Sequence, residues 1–180
     1  MPVYAITGAN RGLGLEFVRQ LLSDSSNTVI GAVRSTNNDL SELKALDKDG
    51  RLHILECDTS STSSISKFGE GVTKILGQDG QLHYLLNNAG INGVPDQTSL
   101  DLTETDLQKH ISVNVFGPAK TVQVVLPHIQ KGTVIVNMVR STPSGFSPAN
   151  VFHPRLRASA VSKKAPSSRS AQPTVSVKLL

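Results

Sequence analysis

Five short apolar runs rich in β-branched residues recur along the first 140 positions: "VYAIT" (3–7), "TVIGAV" (28–33), "RLHILEC" (51–57), "LHYLLN" (82–87) and "TVIVNM" (133–138). Segments of helical periodicity separate them. Leu13, Phe17, Val18, Leu21 and Leu22 share one helical face, as do Leu40, Leu43 and Leu46, and then Ile65, Phe68, Val72 and Ile75. Strict alternation of this kind implies βα units and a parallel sheet, because parallel neighbours need a crossover long enough to hold a helix. The near-continuous apolar character of the runs suits strands covered on both faces. A fourth helix is expected to begin near "TETD", where Thr103 and Asp106 have capping-box spacing. It runs through Leu107, Ile111 and Val115 to Pro127, and Gly117-Pro118 inside it should bend or open the helix, since proline lacks an N–H donor.

Between the first strand and the first helix stands "TGANRGLG", residues 7–14. Gly8, Gly12 and Gly14 let the backbone approach a pyrophosphate, whose charge is met by free N–H groups and the positive end of the helix. Arg11 and Leu13 sit in the same loop. A tight turn that merely needs small residues is the plainer alternative. Its place in a βαβ unit favours the dinucleotide reading and a Rossmann-type sheet. Where the second strand ends, a fold that prefers NAD carries an acid for the ribose hydroxyls, but this chain reads "GAVRS". Arg34 and Arg11 are therefore expected to converge on a 2′-phosphate and select NADP, against the alternative that both are solvated surface arginines.

A length of 180 residues, 38% of them hydrophobic, fits a single domain. No apolar stretch approaches a membrane span and no signal-peptide pattern opens the chain, so a cytoplasmic protein without a membrane partner is expected. The lone Cys57 reads as a small buried residue. The formal charge of +4 comes from the tail: residues 1–140 carry a net −2, whereas residues 141–180 carry six basic residues and no acid. Without an aromatic platform or recognition helix, that charge does not suggest nucleic acid binding.

The spacing of Gly8, Gly12 and Gly14, followed by "CDTS", "NNAG" and "SVNVFG" in order after the third strand, after the fourth strand and in the fourth helix, resembles the short-chain dehydrogenase/reductase family. The likeness is greatest to its carbonyl-reductase-type members and covers about residues 2–138. It implies that Asp58 receives the adenine amino group. Asn88, Ala89 and Gly90 would stabilise the sheet centre and line the adenosine ribose, and Asn114 would hold a proton-relay water aided by a local opening of its helix. Plainer roles exist for each: Asp58 as a helix N-cap, Asn87 and Asn88 as turn caps, Asn114 as a polar helix residue.

In such enzymes a Tyr phenol gives or takes the proton, a Lys four residues later lowers its pKa, and a Ser hydrogen-bonds the substrate oxygen. The two tyrosines of this chain, Tyr4 and Tyr84, fall in the first and fourth strands. "SAVSKKA" puts Lys163 in the register of the motif lysine, with Ser159 where the Tyr would stand. "VNMVRS" places Val139 and Arg140 where a Ser pair is expected, so Ser141 or Ser144 would serve only after a register shift. The catalytic set implied by resemblance is thus Asn114, Lys163 and Ser141, with no metal ligand. Residues 141–180 read as a poorly ordered basic Ser/Pro-rich tail beside a 1–140 NADP-binding domain. The C-terminal strands and helices of the fold are expected to be incomplete, leaving the fifth strand an open edge unless "TVSVKLL" (174–180) adds a short strand. The change of composition near residue 140 suggests a truncated or frame-shifted reading of a full reductase, ahead of alternative processing or a protein kept for cofactor binding. The functional expectation is NADP-dependent hydride transfer with a small carbonyl or alcohol substrate. The rival is a catalytically impaired NADP-binding protein, and homo-oligomerisation is doubtful.

Overall fold

The computed structural model describes residues 1–92 and 100–138 in full, and 176–179 as backbone. Strands β1 (Val3–Thr7), β2 (Thr28–Val33), β3 (Leu52–Glu56), β4 (Tyr84–Asn87) and β5 (Val134–Asn137) fall within the five apolar runs. All pair in parallel, in the order β3-β2-β1-β4-β5-β6. The order reverses direction between β1 and β4, and the crevice beyond the carboxyl ends of strands at such a reversal is where open α/β sheets bind ligands. β6 (Ser176–Leu179) pairs with β5 in the register Val134 to Ser176 through Asn137 to Leu179. The open edge expected beside β5 is therefore filled by Ser176–Leu179, the second half of the "TVSVKLL" run.

Two cores lie on opposite faces of the sheet. Ile6, Val29 and Val33 meet Leu15, Val18 and Leu22 of helix α1 (Gly12–Leu22) and Leu43 of the short α2 (Ser41–Lys44). On the other face Ala5, Ile30, Leu85 and Ile135 meet Ile65, Phe68 and Val72 of α3 (Thr62–Leu76) and Val125 of α5 (Gly117–Val125). Leu13 departs from the expected face: it is 59% exposed while Gly14 and Leu15 of the same turn are buried, because at about 100° per residue position 13 points away from the side that Leu15, Val18 and Leu22 present to the sheet.

Thr103 caps α4 (Glu104–Ile111), its hydroxyl accepting from the Asp106 N–H at 3.2 Å, as the capping-box spacing requires. The expected break takes the form of a π turn over Ser112–Phe116, after which α5 restarts at Gly117 with Pro118 in its first turn. Proline is tolerated there because first-turn N–H groups have no intrahelical partner.

His128, fully buried below α5, joins three segments. Its Nδ1 lies 2.8 Å from the Gly80 carbonyl, which can only accept, so Nδ1 carries a proton; Nε2 lies 2.8 Å from the Thr73 hydroxyl. Replacing this side chain removes its bonds to the half-buried Gly80 carbonyl and Thr73 hydroxyl and opens a void in the core. His128→Ala is expected to lower unfolding free energy by about 3 kcal/mol in urea titration. A loss below about 1 kcal/mol would show that water takes over both bonds.

Candidate functional site

The β1–α1 corner is built around one glycine. A Cβ on Gly14 would overlap the Gly8 carbonyl oxygen and stand 2.6 Å from Asn88 Nδ2. Gly8 itself turns with φ +69° against Ala89, and Gly12 turns with φ +55° in open space. Neither an acid nor a capping side chain occupies the start of α1, where Arg11 is the N-cap with extended backbone. The first N–H groups of α1 therefore face the crevice without side-chain partners. This opening, with space over Gly12 and none behind Gly14, fits a pyrophosphate laid on the helix N-terminus.

Asn88 and Thr7 lock that corner to β4. Asn88 Nδ2 donates to the Thr7 carbonyl at 2.9 Å and to the Gly8 carbonyl at 3.3 Å. The buried Thr7 hydroxyl accepts the N–H groups of Asn88 at 3.0 Å and Ala89 at 2.9 Å. Thr7 went unremarked in the sequence, although its place as the last residue of β1 next to the first glycine was visible. The amide of Asn88 thus reaches back to the glycine loop, rather than capping a turn of its own.

Deeper in the sheet a second polar chain crosses three elements. Asn87, paired with Asn137 in the β4–β5 ladder, donates from Nδ2 to Asn137 Oδ1 at 3.0 Å. Its Oδ1 lies 2.7 Å from the hydroxyl of Thr121, which is also 2.8 Å from the Pro118 carbonyl; both Thr121 and Asn87 are buried. A hydroxyl has one proton, so these two acceptors share it.

Asp58 leaves β3 half-buried, and its Oδ1 accepts from the Ser60 N–H at 2.9 Å and hydroxyl at 2.7 Å. Ser61, not Asp58, is the N-cap of α3. Beside it Cys57 is buried, and desolvation, reinforced by the Asp58 charge, pushes its thiol up to about 12, leaving it protonated and unreactive.

Arg11 and Arg34 are exposed, and neither guanidinium has a hydrogen-bond or carboxylate partner among the described residues. The acid that does reach this region comes from β3: Glu56 Oε2 accepts the Thr36 N–H at 3.2 Å, holding the loop that follows Arg34.

Asn114 lies in the π turn, and its side chain is engaged. Oδ1 accepts the Ile91 N–H and Nδ2 donates to the Ile91 carbonyl, each at 2.9 Å. This reciprocal pair fastens the chain beyond Gly90 to the helix. Pro118, four positions on, has no N–H, so the ordinary α-helical bond to the Asn114 carbonyl is missing.

Tyr4 and Tyr84 stack with ring centroids 4.5 Å apart, interplanar angle 7°, among Phe17, Leu21, Leu86 and Val136 on the α1 side of the sheet. Burial, then Tyr84 and Asp24, raises the Tyr4 phenol, the opposite of what a proton donor near neutrality needs. Ser141 and Lys163, with Ser144 and Ser159, lie outside the described residues.

Gly14→Ala is expected to destabilise the chain by about 2 kcal/mol in urea titration, because the new methyl meets fixed backbone and the Asn88 amide. Gly12→Ala should lose only about 1 kcal/mol, the cost of its backbone angle in free space. The reverse order would show that the corner is not closely packed.

Family models give a match to the short chain dehydrogenase family over residues 2–152. Among curated relatives, the short chain dehydrogenase virK of Hypocrea virens is 36% identical over 144 residues, 74% of this chain and 52% of that protein. Human retinol dehydrogenase 12 is 36% identical over 117 residues, 64% of this chain and 35% of that protein. The chain thus spans about half the length of virK and a third of the human enzyme. Among solved structures, NADPH-bound carbonyl reductase from chicken fatty liver superposes with a TM-score of 0.68 at 27% identity, covering 77% of this chain and 60% of that one. A metagenomic short-chain oxidoreductase in complex with NADP gives 0.66 at 25% identity, covering 81% and 65%. With the glycine corner, the strand order and the matched residues in agreement, the chain belongs to the short-chain dehydrogenase family, an oxidoreductase family built on a Rossmann-like sheet.

Proposed function

We propose that this chain binds NADP(H) at the carboxyl rim of β1, β2 and β4, as the cofactor half of a carbonyl- or alcohol-directed oxidoreductase. The observation that carries the reading is the pair of guanidiniums of Arg11 and Arg34, without partners among the described residues, on the glycine loop and at the β2 exit where no carboxylate from β2 opposes them. Arginine forks match phosphate geometry, and partners already satisfied by protein carboxylates would not be free to do so. The chicken carbonyl reductase and the metagenomic oxidoreductase, described with NADPH and NADP respectively, support the same cofactor here.

The bound nicotinamide would supply or accept the hydride. This chain's own residues would do the rest. N–H groups at the start of α1, over Gly12, Leu13 and Gly14, hold the pyrophosphate, and Gly8, Ala89 and Gly90 keep the rim low enough for the ribose. Asp58 retains a carboxylate oxygen for the adenine amino group after Ser60 has taken the other. Asn114 orients the rim through Ile91 while its carbonyl positions a relay water. Lys163 and Ser141 would complete the proton path toward a small carbonyl or alcohol.

NADPH is expected to bind at least about tenfold more tightly than NADH in calorimetry, the worth of one charge-assisted phosphate contact. Arg34→Asp should erase or invert the preference. Equal affinities for the two cofactors would overturn the assignment.

One observation favours a second reading, a cofactor-binding protein that turns over poorly. Both tyrosines of the chain are used in a stacked pair on the sheet face, remote from the rim, and a serine hydroxyl in the register of the missing phenol is a far weaker acid. A panel of aldehydes and ketones, followed by loss of NADPH absorbance, separates the two. Substrate-dependent consumption supports the reductase, whereas tight NADPH binding without consumption supports the impaired protein.

A further inference from the structure

We propose that the cleft between the start of α3 and the π turn binds phosphate or a phosphomonoester, apart from the dinucleotide rim and whether or not the rim holds NADP. The cleft has a volume of about 210 Å³ and is lined by Thr59, Ser60 and Thr62 on one side and by Ser112, Phe116 and Lys120 on the other. No carboxylate lines it.

Three features make it a site for an anion. Thr59 is only 8% exposed, yet its hydroxyl has no hydrogen-bond partner among the described residues. Since no buried side-chain oxygen among the described residues is sealed off unpaired, this hydroxyl must open to the cleft that it lines. Open to the cleft and not engaged by another described side chain, it can donate to and accept from whatever occupies that space. Helix α3, 15 residues long, has no acid in its first turn, and its Ser61 cap takes only the Ser64 N–H. The Thr62 and Ser63 N–H groups remain available, at the positive end of the helix. Lys120, half-buried opposite, spends one N–H on Gln123 at 3.0 Å and keeps two more.

The walls are fixed. A Cβ on Gly117 would stand 2.9 Å from both the Thr59 Cβ and the Thr59 carbonyl, so α5 rests directly on the loop that carries the hydroxyl. Asp58, the nearest acid in sequence, does not line the cleft, and its Oδ1 is engaged by Ser60. Phe116, 59% exposed at the mouth, offers an apolar surface to the organic part of an ester.

Calorimetric titration of the full chain with inorganic phosphate and with phenyl phosphate, at ionic strength balanced with sodium chloride, tests the site. With the rim saturated by NADPH, saturable binding at one site is expected. Lys120→Gln and Thr59→Val should each weaken it about tenfold and leave the NADPH dissociation constant as it was. Tighter binding of phenyl phosphate identifies an ester as the ligand, and equal binding identifies free phosphate. Absence of saturable binding in the presence of NADPH, or wild-type affinity in Lys120→Gln, would overturn the proposal; among the described residues the Lys120 ammonium bonds only the Gln123 side chain, so that variant decides even if Thr59→Val fails to fold.

Discussion

The van der Waals contact between Gly14 and the Gly8 carbonyl sets the geometry on which the rest of the molecule depends. With no side chain at position 14, α1 can leave β1 at close quarters, and the same closeness admits the Asn88 amide between them. Thr7 then converts a steric opportunity into a fixed register, because one buried hydroxyl oxygen accepts two successive N–H groups from the end of β4. Backbone donors at that depth need a partner, and no water is required once Thr7 provides it. The strands on either side of the reversal are thus tied at their carboxyl ends.

Much of this was legible from residue order. The five strands, the glycine corner and the Thr103 cap each follow from local chemistry: β-branched runs, absent side chains, a hydroxyl three residues before an N–H in need of an acceptor. The opening of the fourth helix was foreseeable because proline removes a donor wherever it stands. What sequence does not announce are the long-range polar partners. Nothing around Thr121 indicates that its hydroxyl meets Asn87, 34 positions away, or that Asn114 spends its amide on the Ile91 backbone rather than on solvent. Leu13 illustrates the reverse problem: it was grouped with the apolar residues of α1, but the buried side is centred on Leu15, Val18 and Leu22, and position 13 points away from it.

The electrostatics divide the rim in the same way. Carboxylates near it are largely turned to internal work: Asp58 toward Ser60 and Glu56 toward Thr36. Among the described residues Arg11 and Arg34 have no such employment. The two carboxylates keep their charge under these bonds, so it is the two guanidiniums that are left to meet an anion.

The Thr7 tie also sets when this fold can come into being. Its two partners, Asn88 and Ala89, lie 81 and 82 residues further along the chain, and β4 must insert beside β1 before either bond forms. Closing a loop of that length is entropically unfavourable until the pairing that rewards it is complete. During synthesis, β1, β2 and β3 can assemble with α1 while the corner remains slack. The glycine corner acquires its shape only when the "NNAG" segment emerges, so a nascent chain is without that cradle until residues 87–90 have been made and released for pairing.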